Sequence, residues 1–430
     1  MRSLFAPLLC ALFLTHVPLA QADGVDVPPS VDRAAAGAQP VAALTLDQAL
    51  RLAWSHSPVL AVARLELQAM EAAERQAGAR PNPELGVLLE DTRRASRTTT
   101  IQMSQAIELG GKRVARLSFA ARTREQADVG LAAKQAELRA AVTGAFFEVQ
   151  GAQEHERLAV GSLDLARQAS RMADRRVQAG KAPPMEHTKA LVAEAGVRAE
   201  LTQAQSDLRL ARQRLASTWA PSMVVFERVE SATDSLPILP TEPELRERIV
   251  HSPALRLAQL DVASRQAQSD GARAQAVPDL TVTLGAKRDA ELGRTQAVMG
   301  VSIPLPLMDR QQAQVTQALR REDQAREQWV AASVRLQLEV SQAAEKLGLA
   351  REQALLLRRE VLPAAQSAVD VAMKGYELGK FAFIDVLDAQ RTLSQLRQQA
   401  VRHTADAFRA AAALERLLGH PADAQRVSTE

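Results

Sequence analysis

Side chains capable of acid–base, nucleophilic or metal chemistry are scattered along this chain of 430 residues rather than grouped. None of its seven histidines forms a pair at the spacing that would place two metal ligands on one helix face. The adjacent His155 and Glu156 are more typical of a solvated surface, and the single cysteine, Cys10, lies near the N-terminus. No nucleophile, base and orienting residue can be assigned to one another. We therefore predict that the chain is not an enzyme and has no cofactor or metal site of its own.

Two carboxylates near the C-terminal end have a spacing that could serve a pore. Asp385 and Asp388 are three residues apart, so that on a helix they lie close to one face. Repeated around an axis in an oligomer, they would form two acidic rings, a common means of favouring cations over anions. The same spacing is also typical of an ordinary solvated helix face.

The chain contains an internal duplication, which indicates the elements that hold these residues. By this correspondence Glu186 and Lys189 match Asp385 and Asp388, so opposite charges could pair between the two halves. The recurring motifs are His56-Ser57-Pro58 and His251-Ser252-Pro253 (195 residues apart), Pro83-Glu84-Leu85 and Pro278-Asp279-Leu280 (195), Ser104-Gln105-Ala106-Ile107 and Ser302-Ile303-Pro304-Leu305 (198), and Ala179-Gly180-Lys181 and Leu378-Gly379-Lys380 (199).

The duplication and its flanks divide the chain into six predicted segments. Arg2, an apolar stretch from Leu4 to Leu14, and small residues at Ala20 and Ala22 are typical of a cleaved export signal. Pro237-Ile238-Leu239-Pro240 marks a connector. The segments are a signal peptide (1–22), an extended N-terminal leader (23–44), a first structural repeat (45–220), a connector (221–241), a second structural repeat (242–420) and a C-terminal tail (421–430).

Each repeat is predicted to hold a capped helix, two strands and a very long helical hairpin. Thr45 with Gln48, and Thr241 with Glu244, have capping-box spacing. No proline occurs from residue 112 to 182, which allows a helix of about 100 Å. Glycines are predicted to form the helix-tip turns (Gly180 and Gly379) and to link a strand to a helix (Gly110 and Gly111). Coiled-coil heptads run through Val197, Leu201, Ala204, Leu208, Ala211 and Leu215, and through Leu336, Val340, Ala343, Leu347, Ala350, Ala354, Leu357 and Val361.

Four segments alternate between apolar and small or polar residues, the pattern of a membrane barrel wall. Short charged loops, Asp91 to Arg97 and Arg288 to Arg294, join them in pairs. Four strands cannot close a barrel, for which about eight are needed, so insertion in a membrane requires oligomerisation. Two hairpins on a soluble core would show the same alternation. The residues predicted to face lipid are Leu85, Val87, Leu89, Leu280, Val282, Leu284, Met299 and Val301.

Composition favours long helices and argues against a nucleic-acid partner. Aromatic residues make up 3% of the chain and charged residues 24%, with a net charge of +3. The basic residues are interspersed with acidic ones and form no block, so we expect no nucleic-acid binding.

Two stretches carry a resemblance to a known family. They are Ser104 to Arg113, which reads Ser-Gln-Ala-Ile-Glu-Leu-Gly-Gly-Lys-Arg, and Tyr376-Glu-Leu-Gly379 followed by Ile384-Asp-Val-Leu-Asp-Ala-Gln390. Together with the duplicated layout of residues 45–420, they resemble TolC-like outer-membrane efflux proteins. The form Ile-Glu-Leu-Gly-Gly-Lys-Arg is most similar to the subset that serves heavy-metal resistance pumps of the cobalt–zinc–cadmium kind.

The resemblance implies a mainly helical fold with a small β part, assembled as a homotrimer in the outer membrane of a Gram-negative cell. Twelve strands, four from each copy, would form one β-barrel in the lipid, and long coiled-coil helices would form an α-barrel tunnel into the periplasm. The implied function is a passive exit duct for heavy-metal cations in a tripartite efflux system. The implied partners are a periplasmic adaptor protein and an inner-membrane transporter of the proton-driven RND type.

The resemblance also implies roles for residues at the helix tips. The tip region matches Tyr376 to Asp388, with Asp385 and Asp388 at the carboxylate constriction of the pore. Tyr376, Gly379 and Lys380 belong to the second tip turn, as Gly180 does to the first. Where relatives carry a basic residue after the tip glycine, this chain has Phe381, which puts a salt-bridge latch there in doubt.

Other functions remain compatible with the sequence. The same duct could export drugs or small organic molecules. A periplasmic coiled-coil adaptor would also be exported, but it would have one helical hairpin flanked by β-rich modules rather than two similar units. A soluble helical scaffold is a third possibility, and an enzyme ranks last.

Overall fold

The computed structural model describes residues 41–91, 93–219, 226–230 and 235–419. The predicted signal peptide, most of the predicted leader and the predicted tail lie outside these ranges. The first half contains β1 (Val41–Leu44), α1 (Leu46–His56), α2 (Pro58–Ala77), β2 (Glu84–Glu90), β3 (Thr98–Ile107), α3 (Lys112–Gln178) and α4 (Pro184–Ala216). The second half contains β4 (Phe226–Val229), α5 (Glu242–Val250), α6 (Pro253–Gln275), β5 (Leu280–Asp289), β6 (Arg294–Ser302), α7 (Gln312–Leu356), a π-helical turn (Leu357–Val361), α8 (Leu362–Glu377) and α9 (Phe383–Leu418).

The predicted fold class, mainly helical with a small β part, is confirmed. Helix α1 begins where its capping box predicts, because the Thr45 N–H donates to Gln48 Oε1 at 3.0 Å and the Gln48 N–H donates to Thr45 Oγ1 at 3.3 Å. Before α5, the Thr241 N–H donates to Glu244 Oε2 at 2.7 Å. Helix α3 runs for 67 residues, which corresponds to a rod of about 100 Å.

The long helices pack through heptad seams, rows of positions spaced alternately by three and four residues. On α7 the predicted seam from Leu336 to Ala354 is buried, and it packs on α9 and α6. The last predicted step, Leu357 to Val361, differs because it lies in the π-helical turn. Pro363 follows, and its ring has no N–H and crowds the carbonyl four residues earlier. The wider turn relieves that crowding.

The strands form two sheets. A four-stranded antiparallel sheet has the order β2-β3-β5-β6, so β2 and β6 are its edges. The second loop is shorter than predicted, because β5 continues to Asp289 and β6 begins at Arg294. A separate parallel pair, β1-β4, joins the start of the described chain to the connector. Among the described residues, no helix combines the length and apolar character needed to cross a membrane.

Three buried clusters lie along the helices. The first surrounds Trp219 and Phe146 and includes β1 and β4, with the Phe147 and Phe408 rings stacked at 3.6 Å between centroids. The second joins α6, α7 and α9 through leucines and alanines. The third surrounds Tyr376 and Phe383 at the far ends of the long helices. The helix ends are therefore packed rather than loose.

Ion pairs fasten the four-stranded sheet to the helices. Lys112, at the start of α3, is buried and donates to Asp279 Oδ1 at 2.8 Å, and the Leu109 N–H donates to the same oxygen at 3.0 Å. Arg116 binds Glu108 and donates to the carbonyls of Ala77 and Ala79 at the end of α2, each at 3.0 Å. These contacts join the start of α3 to the ends of β3 and α2 and to the residue before β5.

Replacing Arg116 by Ala should destabilise this junction. The change leaves Glu108 and two carbonyl groups without their donor, at a cost of about 1–3 kcal/mol. Arg122→Ala, which removes only an exposed pair with Glu125 on α3, is the matched control and should cost under about 1 kcal/mol. Thermal unfolding in detergent measures both, and equal midpoints for the two variants would contradict the assignment.

The same junction predicts a pH dependence. The hydrogen bond from Arg116 lowers the pKa of Glu108 below its usual value. A lowered carboxyl pKa contributes stability above its unfolded-state pKa, and that contribution is lost as pH falls through the folded-state pKa. The difference in unfolding midpoint between wild type and Arg116→Ala should therefore become smaller at acid pH.

Candidate functional site

Each long hairpin ends in a glycine turn, and we call the two turns with their flanking helix ends the tips. At the first tip, Gly180 has a φ of +66° and the Lys181 N–H donates to the Arg176 carbonyl at 2.8 Å. At the second tip, Gly379 has a φ of +74° and the Lys380 N–H donates to the Gly375 carbonyl at 2.8 Å. Both turns have left-handed geometry, which glycine adopts without the strain of a side chain.

Tyr376 joins the two tips. Its side chain is buried, and its hydroxyl donates to Glu186 Oε1 on α4 at 2.8 Å. The guanidinium carbon of Arg176 on α3 lies 4.4 Å from the centre of the Tyr376 ring, and Arg176 Nη1 donates to the Tyr376 carbonyl at 2.9 Å. A cation over a partly desolvated aromatic ring contributes on the order of 1 kcal/mol. The first tip thus holds the second through both the ring and the hydroxyl of one tyrosine.

Burial raises the pKa of Tyr376 to about 12, and the hydrogen bond to Glu186 acts in the same direction. Burial disfavours the phenolate because it removes water from the charge, and a neighbouring carboxylate repels it. Tyr376 therefore stays a neutral hydrogen-bond donor throughout the physiological pH range.

Glycine at 375 leaves room for the ring of Phe381 at the second tip. A Cβ added there would overlap Cδ2 of Phe381, whose ring covers the glycine. Phe381, at the position where the resemblance implies a basic residue, thus makes an apolar contact within its own tip. Neither this contact nor Arg176 was predicted from the sequence. The chain has only one tyrosine, which was the available sign that the tip has an unusual environment.

Asp385 and Asp388 both lie near the start of α9, where the structure leaves Asp385 exposed. Asp385 Oδ2 accepts the Ala382 N–H at 2.9 Å, so this carboxylate also caps the helix. Asp388, one turn further along, is also exposed to solvent. The helix places the two carboxylates near one face, with Asp385 held by the backbone.

Glu186 and Lys189 have different surroundings. Glu186 binds the hydroxyl of Tyr376, whereas Lys189 is exposed beside a groove of about 750 Å³ between α3, α4 and α9. Val192, Ile384 and Arg391 also line this groove. Within the ranges that the structure describes, neither Glu186 nor Lys189 forms an ion pair, and the pairing of charges between tips stays a prediction.

The strand residues predicted to face lipid share one face of the four-stranded sheet. Strand register aligns Leu85, Met103, Leu284 and Met299 across the sheet, and Val282 with Val301. Leu85, Val87, Leu89, Leu284, Met299 and Val301 are exposed, whereas Leu280 and Val282 are half-buried. The opposite face carries polar groups, including Ser104 hydrogen-bonded to Thr283 at 3.2 Å. In the part of the chain that the structure describes, no three His, Cys, Asp or Glu side chains are grouped to hold a metal ion.

Comparison with known proteins identifies relatives over most of the chain. The family model described as outer membrane efflux protein matches residues 49–220 and 245–420. The chain is 42% identical over 422 residues to the cobalt-zinc-cadmium resistance protein CzcC of Cupriavidus metallidurans, covering 97% of this chain and 100% of that protein. It is 27% identical to the nickel-cobalt-cadmium resistance protein NccC of Alcaligenes xylosoxydans xylosoxydans, covering 67% of this chain and 65% of that protein.

A solved structure has the same fold. The outer membrane protein VceC of Vibrio cholerae superposes with a TM-score of 0.72 at 20% identity, covering 87% of this chain and 96% of that chain.

The single tyrosine makes its environment directly measurable. Tyrosinate absorbance should be half-developed at about pH 12, since burial raises the pKa of Tyr376. Because the pKa in the folded protein exceeds the unfolded value of about 10, this stabilisation is complete below about pH 10 and lost as pH rises toward 12.

Glu186→Gln should lower the titration midpoint, because a neutral amide no longer repels the phenolate. Glu194→Gln, elsewhere on α4 and paired with Arg198, is the matched control and should leave the midpoint unchanged. A midpoint near the ordinary tyrosine pKa in the folded protein would contradict the buried assignment.

Proposed function

The chain belongs to the outer membrane efflux protein family, and from this premise we propose that it is the exit duct of a tripartite pump for heavy-metal cations. The protein is placed in the Gram-negative outer membrane, from which it extends into the periplasm. The observation that carries the choice of cargo is the full-length similarity to the cobalt-zinc-cadmium resistance protein. The similarity to the nickel-cobalt-cadmium resistance protein supports the same class of cargo.

The proposed assembly is a homotrimer with twelve strands and a helical tunnel. The sheet of one chain has two free edges, β2 and β6, and in lipid each edge must find a partner for its backbone groups. Three copies joined edge to edge would close a barrel of twelve strands, with the apolar face of Leu85, Met103 and Met299 against outer-membrane lipid. The helix α3, about 100 Å long, would cross the periplasm.

The proposed partners are a periplasmic adaptor protein and an inner-membrane RND transporter. The duct performs no chemistry, so the energy and the choice of substrate come from upstream. Its own contribution is a lumen that cations traverse and an aperture at the tips. The proposed domain division keeps two structural repeats, 45–220 and 242–420, on either side of the connector.

The proposed pore constriction is formed by Asp385 and Asp388. Three copies of each carboxylate around the tunnel axis would make two rings of negative charge, which attract cations and exclude anions. Glu186 and Lys189 of the first tip would lie near these rings and modulate their charge. The turns at Gly180 and at Tyr376 to Lys380 would set how closely the rings approach the axis.

Loss of the gene should lower tolerance to zinc, cobalt and cadmium, while tolerance to antibiotics stays the same. The physical reason is that cations delivered by the pump would have no exit. Minimum inhibitory concentrations of a deletion strain, with and without a plasmid copy, measure this. Sensitivity to antibiotics alone would instead identify a duct for drugs or small organic molecules.

Opposite charge changes at the tips should shift ion selectivity. In planar bilayers Asp388→Asn should reduce the preference for cations over anions, since it removes one charge ring, and Lys189→Glu should increase it. Asp207→Asn, on α4 away from the tips, is the control and should leave the reversal potential unchanged. If all three variants had the selectivity of the wild type, the proposal that tip charges set ion selectivity would be wrong.

A further inference from the structure

The duplicated halves differ in one helix contact: α6 is covered by α3, whereas the equivalent surface of α2 has no covering helix in the described chain. Helix α6 packs between α3 and α7, whereas α2, its equivalent in the first half, has its main contact with α3 alone. Helix α3 packs on both α2 and α6. Helix α7 packs on α6 but, within the described ranges, makes no comparable contact with α2. A single chain therefore contains the α3–α6 contact but not the equivalent contact between α7 and α2.

Burial on α2 and α6 differs at equivalent positions 195 residues apart. The α6 seam of Leu257, Leu260, Ser264, Ala267, Gly271 and Ala274 is buried or half-buried, and the Ala274 carbonyl lies close to Gly110, just before α3. The matching positions on α2 and just after it, Val62, Leu65, Ala69, Ala72, Gln76 and Ala79, are all exposed. Leu260 is 8% exposed, whereas its equivalent Leu65 is 63% exposed.

The same contrast appears between α3 and α7, whose packing corresponds at an offset of 198 residues. That offset matches the buried Leu138, Val142 and Val149 of α3 with the buried Leu336, Val340 and Leu347 of α7. The α3 seam of Lys112, Phe119, Thr123, Gln126, Gly130 and Ala133 is buried or half-buried. The α7 side has the exposed residues Arg310, Gln317, Arg321, Gln324, Gln328 and Ala331.

Charge follows the same correspondence at the sheet junction. The ion pair within one chain joins the buried Lys112 to the half-buried Asp279, at 2.8 Å. At offsets of 198 and 195 residues these positions correspond to Arg310 and Glu84, which keep the sign of each charge. Both Arg310 and Glu84 are exposed, and neither makes an ion pair among the residues that the structure describes.

We infer that Arg310 of one copy pairs with Glu84 of the next copy, and that the bare α7 seam packs on the bare α2 seam beside this pair. The inference rests on the proposed oligomeric duct and specifies which surfaces meet. The occupant of the bare α2 surface is a second copy of this chain, because α7 supplies the equivalent of the α3 surface that covers α6.

Within one chain, Glu84 and Arg310 are connected to different edges of the sheet. Glu84 begins β2 and Arg310 follows β6, and these are the two opposite edges of the sheet. The mass of a product cross-linked between positions 84 and 310 therefore distinguishes contact between copies from contact within one chain.

Disulfide formation tests the inference in the full chain, with Cys10→Ser as the background. The double variant Glu84→Cys/Arg310→Cys should give covalent dimers and trimers on non-reducing denaturing gels, and each single variant should not. Lys112→Cys/Asp279→Cys is the matched control, whose disulfide should form at the mass of one chain.

Charge exchange gives a second readout. Glu84→Arg and Arg310→Glu should each lower the fraction of trimer that survives mild heating in detergent, and the double exchange should restore most of it. If trimers form but show neither the cross-link nor the rescue, the inferred contact is wrong and the proposed oligomeric duct still stands. A protein that stays monomeric in detergent would overturn both the contact and the proposed assembly.

Discussion

Close packing of long helices through seams of small apolar side chains is the constraint on which this structure depends. A rod of about 100 Å has few contacts with any compact core, so its stability comes from the neighbouring helix along its whole length. Alanines at Ala343, Ala350 and Ala354 of α7 let a neighbour approach closely, and each additional heptad adds a similar increment. Larger side chains are concentrated around Trp219, in the cluster that includes residues of β1 and β4.

Polar contacts attach the sheet to these rods, and at the tips they supplement the buried apolar cluster around Tyr376 and Phe383. At one end, Lys112 with Asp279 and Arg116 with Glu108 fix how strands become helices. At the other end, Tyr376 is held between Arg176 and Glu186. Such contacts are directional and specify one geometry. The proposed duct would need that property where its wall enters the membrane and at its aperture.

Much of the fold was predictable because it depends on local chemistry that the sequence shows directly. Capping residues marked the start of α1, glycines marked the tip turns, and the absence of proline marked α3. The family is confirmed by the comparisons. The β1–β4 pair, the ring of Phe381 over Gly375, and Arg176 were not predicted, because each depends on residues that are distant in sequence or on the exact direction of a side chain.

The π-helical turn at Leu357–Val361 explains an irregularity in the duplication. Above it, equivalent positions such as Val142 and Val340 are 198 residues apart, and below it Gly180 and Gly379 are 199 apart. The second half has therefore gained one residue relative to the first, and a turn with one extra residue is where a helix can absorb it. Without this bulge, the insertion would rotate every later side chain by about 100° and detach the lower rod from its partners. The protein thus accommodates one additional residue within a single π-helical turn.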